Sequence, residues 1–499
     1  MIRGKIDQGS FYDMLWKTFL PENHELVRIK REFKFDWMDE DLKDYYSTAP
    51  EGRPPYSPRT MFLMLFLEFY ENLSDHKISE RTKYNALYRY FVGLNLEDDV
   101  PDYSSLSVFR KRIGEKGFER IFNRFVEELQ KQKLISHRLK IVDATHMIAD
   151  SKVRSKVGIL RQAQRKLLKS MKKEDERKLS RLLPVEPNVE EPKPNEEEDL
   201  STLAKELEKL KGLLALARGK FGYVSDIQKT ADVVEDLLFN SEESIGSLTD
   251  PDARFGHKKK DQPFHGYKAH TVTNESEIVT SVETIPGNLH EGGDLPRLLK
   301  EEEERDIPGD IVLADGLYAS GENRKAIRED EELQMTEVIP AQDKTAQADR
   351  FIYDPRTDGL ICPNGNTAIA PSPHKNGKLF YFSKKDCMVC PLQSQCPSFS
   401  EREGRARVFL SLDHQLRSTL PLSPDTQKAL YRFRTIVERI YGKAKHWHGF
   451  ARARYRGRWR VAIQSFMTFF VLNAKKALRI KEGLVPLKPP GLAALGYGC

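Results

Sequence analysis

The 499-residue sequence is poor in cysteine, in long apolar runs and in net charge. Five cysteines are too few for a disulfide-stabilised secreted scaffold and indicate a reducing compartment. The longest apolar run, residues 61–70, is interrupted by Glu68 and falls short of the ~20 residues that a membrane helix needs. The first ten residues lack the apolar core of a signal peptide. We therefore expect a cytoplasmic protein that has no membrane partner.

The net charge of +6 conceals segments of strong and opposite charge. Residues 184–200 hold seven acidic residues and four prolines, which predicts a disordered acidic linker. Residues 431–460 hold ten Lys or Arg against Glu438 alone. Five of these cations alternate along residues 452–460 and are interleaved with aromatic residues. Such a stripe favours nucleic-acid binding through counterion release, the alternative being a solvated basic face.

The apolar pattern predicts a helical N-terminal region followed by a mixed α/β layer. Residues 1–135 are mostly helical in pattern and carry the basic triplet 110–112, which fits either a DNA-binding bundle or an ordinary helical bundle. Strand-like runs then alternate with helical segments, and the runs 264–273 and 278–285 read as a hairpin. This order matches a ribonuclease-H-like core once two inserts are excised.

The resulting domain division has five parts. They are a helical N-terminal DNA-binding region (1–135), a ribonuclease-H-like catalytic core (136–155, 250–345 and 411–482), a helical-hairpin insert containing the acidic linker (156–249), a cysteine-rich insert (346–410) and a tail (483–499).

Two aspartates lie on apolar strands of the predicted core. Asp143 follows Ile141 and Val142, and Asp315 closes the run 310–315. A buried carboxylate is costly unless it is paired or bound to a cation. Each aspartate taken alone is better explained as a cap of the turn after its strand. Two of them in one layer favour a shared divalent cation, which removes the repulsion between the carboxylates.

The helix predicted over residues 424–448 supplies a third acid. At 100° per residue, Tyr431, Arg434, Glu438 and Lys445 fall within an arc of about 60°. The opposite side gathers apolar residues, among them Val437, Ile440 and Trp447, together with Phe433 and Ala444. An ordinary amphipathic helix with a solvated face is the alternative, but it does not explain why the single acid of 431–460 lies centrally on the polar face.

These residues resemble the motifs of DDE transposases of bacterial insertion sequences. The spacing Tyr431-x2-Arg434-x3-Glu438-x6-Lys445 is similar to the Y-R-E-K signature of one branch. The strands IVDATHM and ADGLY resemble the family's first-Asp and second-Asp strands. GYKAH and IPGNLHEGG resemble the hairpin between those strands and its exit, and PDYSSLSVFRKR resembles the helical N-terminal region. The best match is the insertion-sequence group 1182.

The resemblance implies a function, its residues and its partners. Asp143, Asp315 and Glu438 would form the catalytic triad that binds Mg²⁺ (or Mn²⁺), and Tyr431, Arg434 and Lys445 would contact transposon-end DNA. The expected reaction is cleavage of double-stranded DNA by metal-activated water, followed by joining of the freed 3′-OH to target DNA. A homodimer in the DNA complex and association with the bacterial nucleoid are also implied. The alternatives are a metal-dependent nuclease of the same fold and a catalytically inactive, zinc-bearing DNA-binding regulator.

Four of the five cysteines lie in the predicted cysteine-rich insert. Cys362 is followed by Cys387-x2-Cys390-x5-Cys396, and the set suits a tetrahedral structural Zn²⁺. Free or redox-active thiols are the alternative. The remaining cysteine, Cys499, has no predicted role.

Overall fold

The computed structural model describes residues 9–46, 55–183, 189, 200–239, 246–259, 262–341, 350–492 and 495. Its N-terminal part contains seven α-helices: α1 Gly9–Phe19, α2 Glu25–Phe33, α3 Trp37–Asp41, α4 Pro58–Tyr70, α5 Asp75–Tyr84, α6 Ala86–Val92 and α7 Tyr103–Lys131. Helix α4 begins with Pro58 in its first turn, where a missing amide costs nothing, and is buried on nearly all sides. Within the described ranges, no helix combines the length and apolar character that crossing a bilayer demands.

A six-stranded sheet follows the N-terminal helices. Its strands are β1 Leu139–Ile148, β2 Arg254–Lys259, β3 Gln262–Asn274, β4 Val279–Pro286, β5 Ile311–Leu313 and β6 Thr336–Val338. The order is β2-β3-β1-β5-β6, with β4 also paired to β3. Strands β1, β5 and β6 run parallel, whereas β2, β3 and β4 form antiparallel pairs, so the sheet is mixed as the sequence predicted.

Each face of this sheet is covered by helices. One face, which includes Ile141 and Met147 of β1, shares a continuous core with the N-terminal helices and with α18 (Arg458–Lys481). Phe470 of α18 stacks on Phe125 of α7, with their ring centroids 4.2 Å apart. The other face, which includes Val142, packs on α12 (Leu295–Glu303) and α13 (Gly321–Glu329). Strand β1 is therefore central and buried from both sides.

The segment between β1 and β2 folds around a core of its own. It contains α8 Lys156–Glu174, α9 Glu176–Leu182, α10 Leu200–Phe221 and α11 Ser225–Phe239. The sequence predicted two helices here, and the described residues of this segment form four. One extra boundary arises because the Asp175 side chain accepts the Lys178 amide and so caps a new helix. The predicted acidic linker 184–200 lies outside the described residues, apart from residues 189 and 200.

The cysteine-rich segment forms small sheets around a compact apolar core. Its elements are β7 Ile352–Asp354, β8 Gly359–Ile361, β9 Pro371–His374, β10 Gly377–Tyr381, α14 Lys384–Met388, β11 Phe399–Ser400, β12 Arg405–Ser411 and, after the last strand, α15 Leu412–Ser418. Cys362, Cys387 and Cys396 pack against this core.

The continuous helix predicted over residues 424–448 is broken in the structure. It consists of α16 (Pro424–Tyr431), a 3-10 turn at 432–434 and α17 (Thr435–Trp447). The tighter turn interrupts the 100° progression on which the predicted polar face rested. Trp447, expected on the apolar side, is 66% exposed because α17 ends there.

Candidate active site

Three carboxylates from three separate elements surround one guanidinium group. The Arg434 Nη2 atom lies 3.1 Å from Asp143 Oδ2 and 3.7 Å from Asp315 Oδ2. Its Nη1 atom lies 3.6 Å from Glu438 Oε1. The three acids predicted from the sequence are thus brought together, and Arg434 lies between them. We call these four residues the acidic site.

The parallel pairing of β1 with β5 explains the meeting of the two aspartates. Ile141 pairs with Leu313 in this ladder. Both aspartates lie two residues beyond that pair, so the same register places Asp143, in the middle of β1, level with Asp315, just after the carboxyl end of β5. Asp315 Oδ1 also accepts the Leu317 amide at 2.8 Å, while Oδ2 faces Arg434. Asp315 therefore caps a turn and lines the acidic site at once.

The surroundings of Asp143 shift the pKa of its carboxyl group. The side chain is almost inaccessible, and burial raises the pKa of Asp143 to about 6, although the Arg434 guanidinium opposes the rise. The negative charge of Asp315 adds to the increase. Burial disfavours the charged form of Arg434, yet Asp143 and its other neighbours raise the pKa of Arg434 overall. The site holds several like charges close together, which a further cation would stabilise.

Glu438 lies on the solvent side of the site. It belongs to the first turn of α17, and its side chain is 59% exposed. Arg434 immediately precedes α17, so the two residues form an i,i+4 pair across the junction. The acidic site is consequently closed by Asp143 at its base and open at Glu438, where a large substrate has access.

Tyr441 and Thr271 support the site, and no pattern in the sequence marks them. The Tyr441 hydroxyl donates to the backbone carbonyl oxygen of Asp143 at 2.7 Å. It lies 2.7 Å from the Thr271 hydroxyl, which then acts as donor to it. Both side chains are buried, so these bonds fix β1 against β3 and α17 at the position of Asp143. A tyrosine on an apolar helix face reads as core, which is why sequence reasoning passes over it.

Glu291 is a fourth acid near the site that the sequence analysis did not select. It pairs with Lys268, with 2.9 Å between Oε1 and Nζ.

Burial raises the pKa of Tyr318 well above its ordinary value, and the charge of Glu291 adds to that rise. The Tyr318 hydroxyl is hydrogen-bonded to His270 Nε2 at 2.8 Å. The Tyr of the ADGLY motif is therefore a buried supporting residue.

The remaining predicted DNA contacts flank the acidic site. Tyr431 is half-buried beside Arg434, and burial raises the pKa of its hydroxyl while the Arg434 charge opposes this. Lys445 is also half-buried, on α17. Burial and the charge of Lys258 lower the pKa of Lys445 to about 8, against the attraction of Asp143.

The arginine stripe at 452–460 has partners inside the protein. Arg454 Nη1 lies 3.2 Å from buried Glu68 Oε1, and Arg458 Nη1 lies 2.6 Å from Glu115 Oε1. Arg452 and Arg456 both approach Asp150, at 3.7 and 3.6 Å, and Arg460 lies over the ring of Trp459. Arg454 therefore has a buried structural partner, whereas Arg452 and Arg456 share one acid and remain at least half exposed, so nucleic-acid binding by the stripe stays a prediction.

The acidic site has the chemistry of a hard-cation site. Among the described residues, no three His, Cys, Asp or Glu side chains already converge on a single metal position. The carboxylates of Asp143, Asp315 and Glu438 nevertheless lie within 4 Å of one cation, the Arg434 guanidinium. Carboxylate oxygens are the ligands that Mg²⁺ and Mn²⁺ prefer, so this donor set fits such an ion.

The four cysteines of the cysteine-rich segment share one cavity of about 400 Å³. The Ala406 amide donates to Cys387 Sγ at 3.4 Å. Burial raises the pKa of the Cys387 thiol, this amide opposes the rise, and Cys396, Cys362 and Cys390 add to it. Thiolate sulfur is a preferred ligand of structural Zn²⁺, so the four thiols lining this cavity have suitable chemistry, but no three of them converge on one metal position among the described residues.

The sequence matches two protein-family models. Residues 15–112 match a family described as Transposase domain (DUF772), and residues 241–474 match one described as Transposase DDE domain. A Rhizobium meliloti protein described as uncharacterized protein ORF8 in nfe locus is 32% identical over 104 residues, which are 20% of this chain and 49% of that protein. The chain therefore spans about half the length of this curated relative. No solved structure matches the chain.

The family matches agree with the architecture described above. Together they support an insertion-sequence transposase. A transposase DDE domain implies a ribonuclease-H-like α/β fold, and such domains usually use a divalent metal such as Mg²⁺. The matched segment 241–474 includes Asp315 and Glu438, and Asp143 lies before it on the neighbouring strand.

Proposed function

We propose that the protein is an insertion-sequence transposase of the group 1182 type, carrying the Y-R-E-K signature. It binds the ends of its element, cleaves the DNA and joins the freed 3′-OH to target DNA. The single observation that carries this proposal is the meeting of Asp143, Asp315 and Glu438 around Arg434. The two transposase family matches make DNA the expected substrate.

Each residue of the site has a distinct part in this proposal. A divalent cation pair bound by the three carboxylates supplies activation of the attacking oxygen and stabilisation of the leaving oxygen. Asp143 is held rigidly by burial and by Tyr441, whereas the exposed Glu438 meets DNA arriving from solvent. Arg434 offsets part of the charge of the carboxylates in the free protein, and Arg434, Tyr431 and Lys445 bind backbone phosphates in the complex.

The same proposal assigns Zn²⁺ to Cys362, Cys387, Cys390 and Cys396. The supporting observation is that all four line one cavity and that Cys387 accepts a backbone amide. A closed set of four thiolates leaves no open coordination position, so its role is structural. We assign it the stabilisation of the segment between Asp315 and Glu438.

A strand-transfer assay separates this proposal from a nuclease of the same fold. With Mg²⁺, double-stranded target DNA and pre-cut element ends bearing a free 3′-OH, the protein is expected to yield covalently joined product. A nuclease degrades or nicks the same DNA and gives no joined product. A zinc-bearing regulator without catalysis binds the ends and leaves both DNAs intact. Either of these two results would exclude the transposase. The proposed homodimer predicts two chains per pair of ends in the same mixture.

A further inference from the structure

Two lysines and a histidine from three elements lie together beside the acidic site. Lys258 belongs to β2, His146 to β1 and Lys445 to α17. The His146 ring packs on Phe264, which pairs with Gly256 of β2, two residues before Lys258. The chain from Tyr441 to Ala451, which contains Lys445, runs along β1 from Asp143 to Ile148. We call these three residues the basic edge site, because β2 is the edge strand of the sheet.

The backbone of β2 is irregular at this point. The pairing of β2 with β3 shifts register between His257 and Lys259, so Lys258 falls at a β-bulge. A bulge re-aims a side chain and is common at sheet edges next to active sites. Lys258 is exposed there, whereas Lys445 is half-buried. The ring of His146 packs on Phe264 of β3, with 5.1 Å between centroids, and is thereby held at this edge.

The two lysines are not neutralised within the protein. In the part of the chain that the structure describes, no carboxylate forms an ion pair with Lys258 or Lys445. Lys443, on the same helix as Lys445, does pair with Glu277 at 3.3 Å. Burial and the two lysines lower the pKa of His146 to about 4, so near neutral pH its ring is an uncharged hydrogen-bonding group. Two ammonium groups held close together repel each other, and an anion between them removes the repulsion.

We propose that the basic edge site of Lys258, Lys445 and His146 binds a backbone phosphate of the DNA strand that enters the acidic site. This inference rests on the proposed function, and it adds Lys258 and His146 to the DNA contacts already assigned. A phosphodiester fits because it brings one negative charge and several acceptor oxygens, which two ammonium groups and a ring N–H bind together. The site then fixes the register of the strand relative to Asp143 and reads no base.

A salt titration tests the basic edge site. Binding of a fluorescein-labelled DNA duplex is measured by anisotropy over a KCl series, without magnesium, for full-length wild type and variants. We expect Lys258→Gln to weaken binding and to make the slope of log K against log [KCl] shallower, by at most the value of about 0.9 for one phosphate contact, because Lys445 still contacts the same phosphate. Lys258→Arg keeps the charge and is expected to restore the slope.

Lys325→Gln is the matched control. Lys325 is an exposed lysine on α13 that already pairs with Glu329 at 3.8 Å, so its loss is expected to leave the slope unchanged. The proposal is overturned if Lys258→Gln has the same slope as Lys325→Gln, or if Lys258→Arg fails to restore it. Cleavage by the wild type is a separate readout. If the wild type cleaves element ends but the salt slope does not depend on Lys258, the basic edge site is refuted and the proposed function stands. If binding depends on Lys258 but the wild type never joins DNA, the proposed function is refuted and the phosphate site stands.

Discussion

Asp143→Asn is expected to abolish cleavage of purified element ends and to leave binding of those ends intact. The amide keeps the shape of the side chain and removes the anionic oxygen on which a divalent metal depends. Asp143 forms the buried base of the acidic site, so solvent does not take the place of the lost oxygen ligand. We expect the cleavage rate to fall on the order of 10³-fold or more, equivalent to about 4 kcal/mol of lost transition-state stabilisation.

Asp310→Asn is the control for this prediction. Asp310 immediately precedes β5, at the end of the strand away from Asp315, and pairs with Arg138 at 2.5 Å. Its side chain is 51% exposed, so its neutralisation has little effect on the fold and none on cleavage. Both variants are compared by cleavage rate and by duplex affinity under identical conditions. Rapid cleavage by Asp143→Asn would remove this residue from the triad.

We expect protein purified under reducing conditions to contain about one Zn²⁺ per chain, and chelation to unfold the cysteine-rich segment. Structural Zn²⁺ contributes about 10–16 kcal/mol in zinc-finger peptides, so its loss has a large effect on a small module. The apolar core around Leu360, Phe380 and Val408 retains part of the stability here. Zinc is measured by mass spectrometry of the metal, and unfolding by hydrogen exchange of residues 350–411 with and without chelator.

Cys390→Ala and Cys499→Ala form a matched pair for the zinc prediction. Cys390 lines the shared cavity, whereas Cys499 belongs to no predicted site and lies outside the described residues. Cys390→Ala is expected to lose the metal and the protection from exchange, and Cys499→Ala to keep both. A wild-type protein free of zinc, with four reactive thiols in this segment, would show that the cysteines are free or redox-active instead.

The paired aspartates were predictable because their surroundings are strongly patterned. Apolar residues precede both Asp143 and Asp315, and such runs predict buried strands. The sequence cannot state that these two strands are parallel neighbours in register, yet that pairing is what brings the carboxylates together. Arg434 and Glu438 were also predictable, because an i,i+4 spacing survives the short irregularity between α16 and α17.

Long-range pairing explains what the sequence could not show. Arg454 pairs with Glu68, which lies 386 residues earlier in the sequence, so the local sequence around the arginine stripe does not reveal this partner. The 3-10 turn at 432–434 interrupted the continuous helix that the apolar pattern predicted, and the end of α17 left Trp447 exposed. The bulge that presents Lys258 and the hydrogen bond of Tyr441 to the Asp143 carbonyl depend on tertiary packing. Local patterns predict elements and their faces, whereas partners from distant segments follow only from the assembled fold.

We propose that Asp143, Asp315 and Glu438 together bind the catalytic metal. Anomalous scattering from crystals of the protein with Mn²⁺ and a pre-cut DNA end locates that metal. We expect manganese bound to oxygens of all three carboxylates, with the Arg434 guanidinium moved away from them towards a DNA phosphate. Manganese bound elsewhere in the chain, with Arg434 still between the three carboxylates, would rule out this metal site.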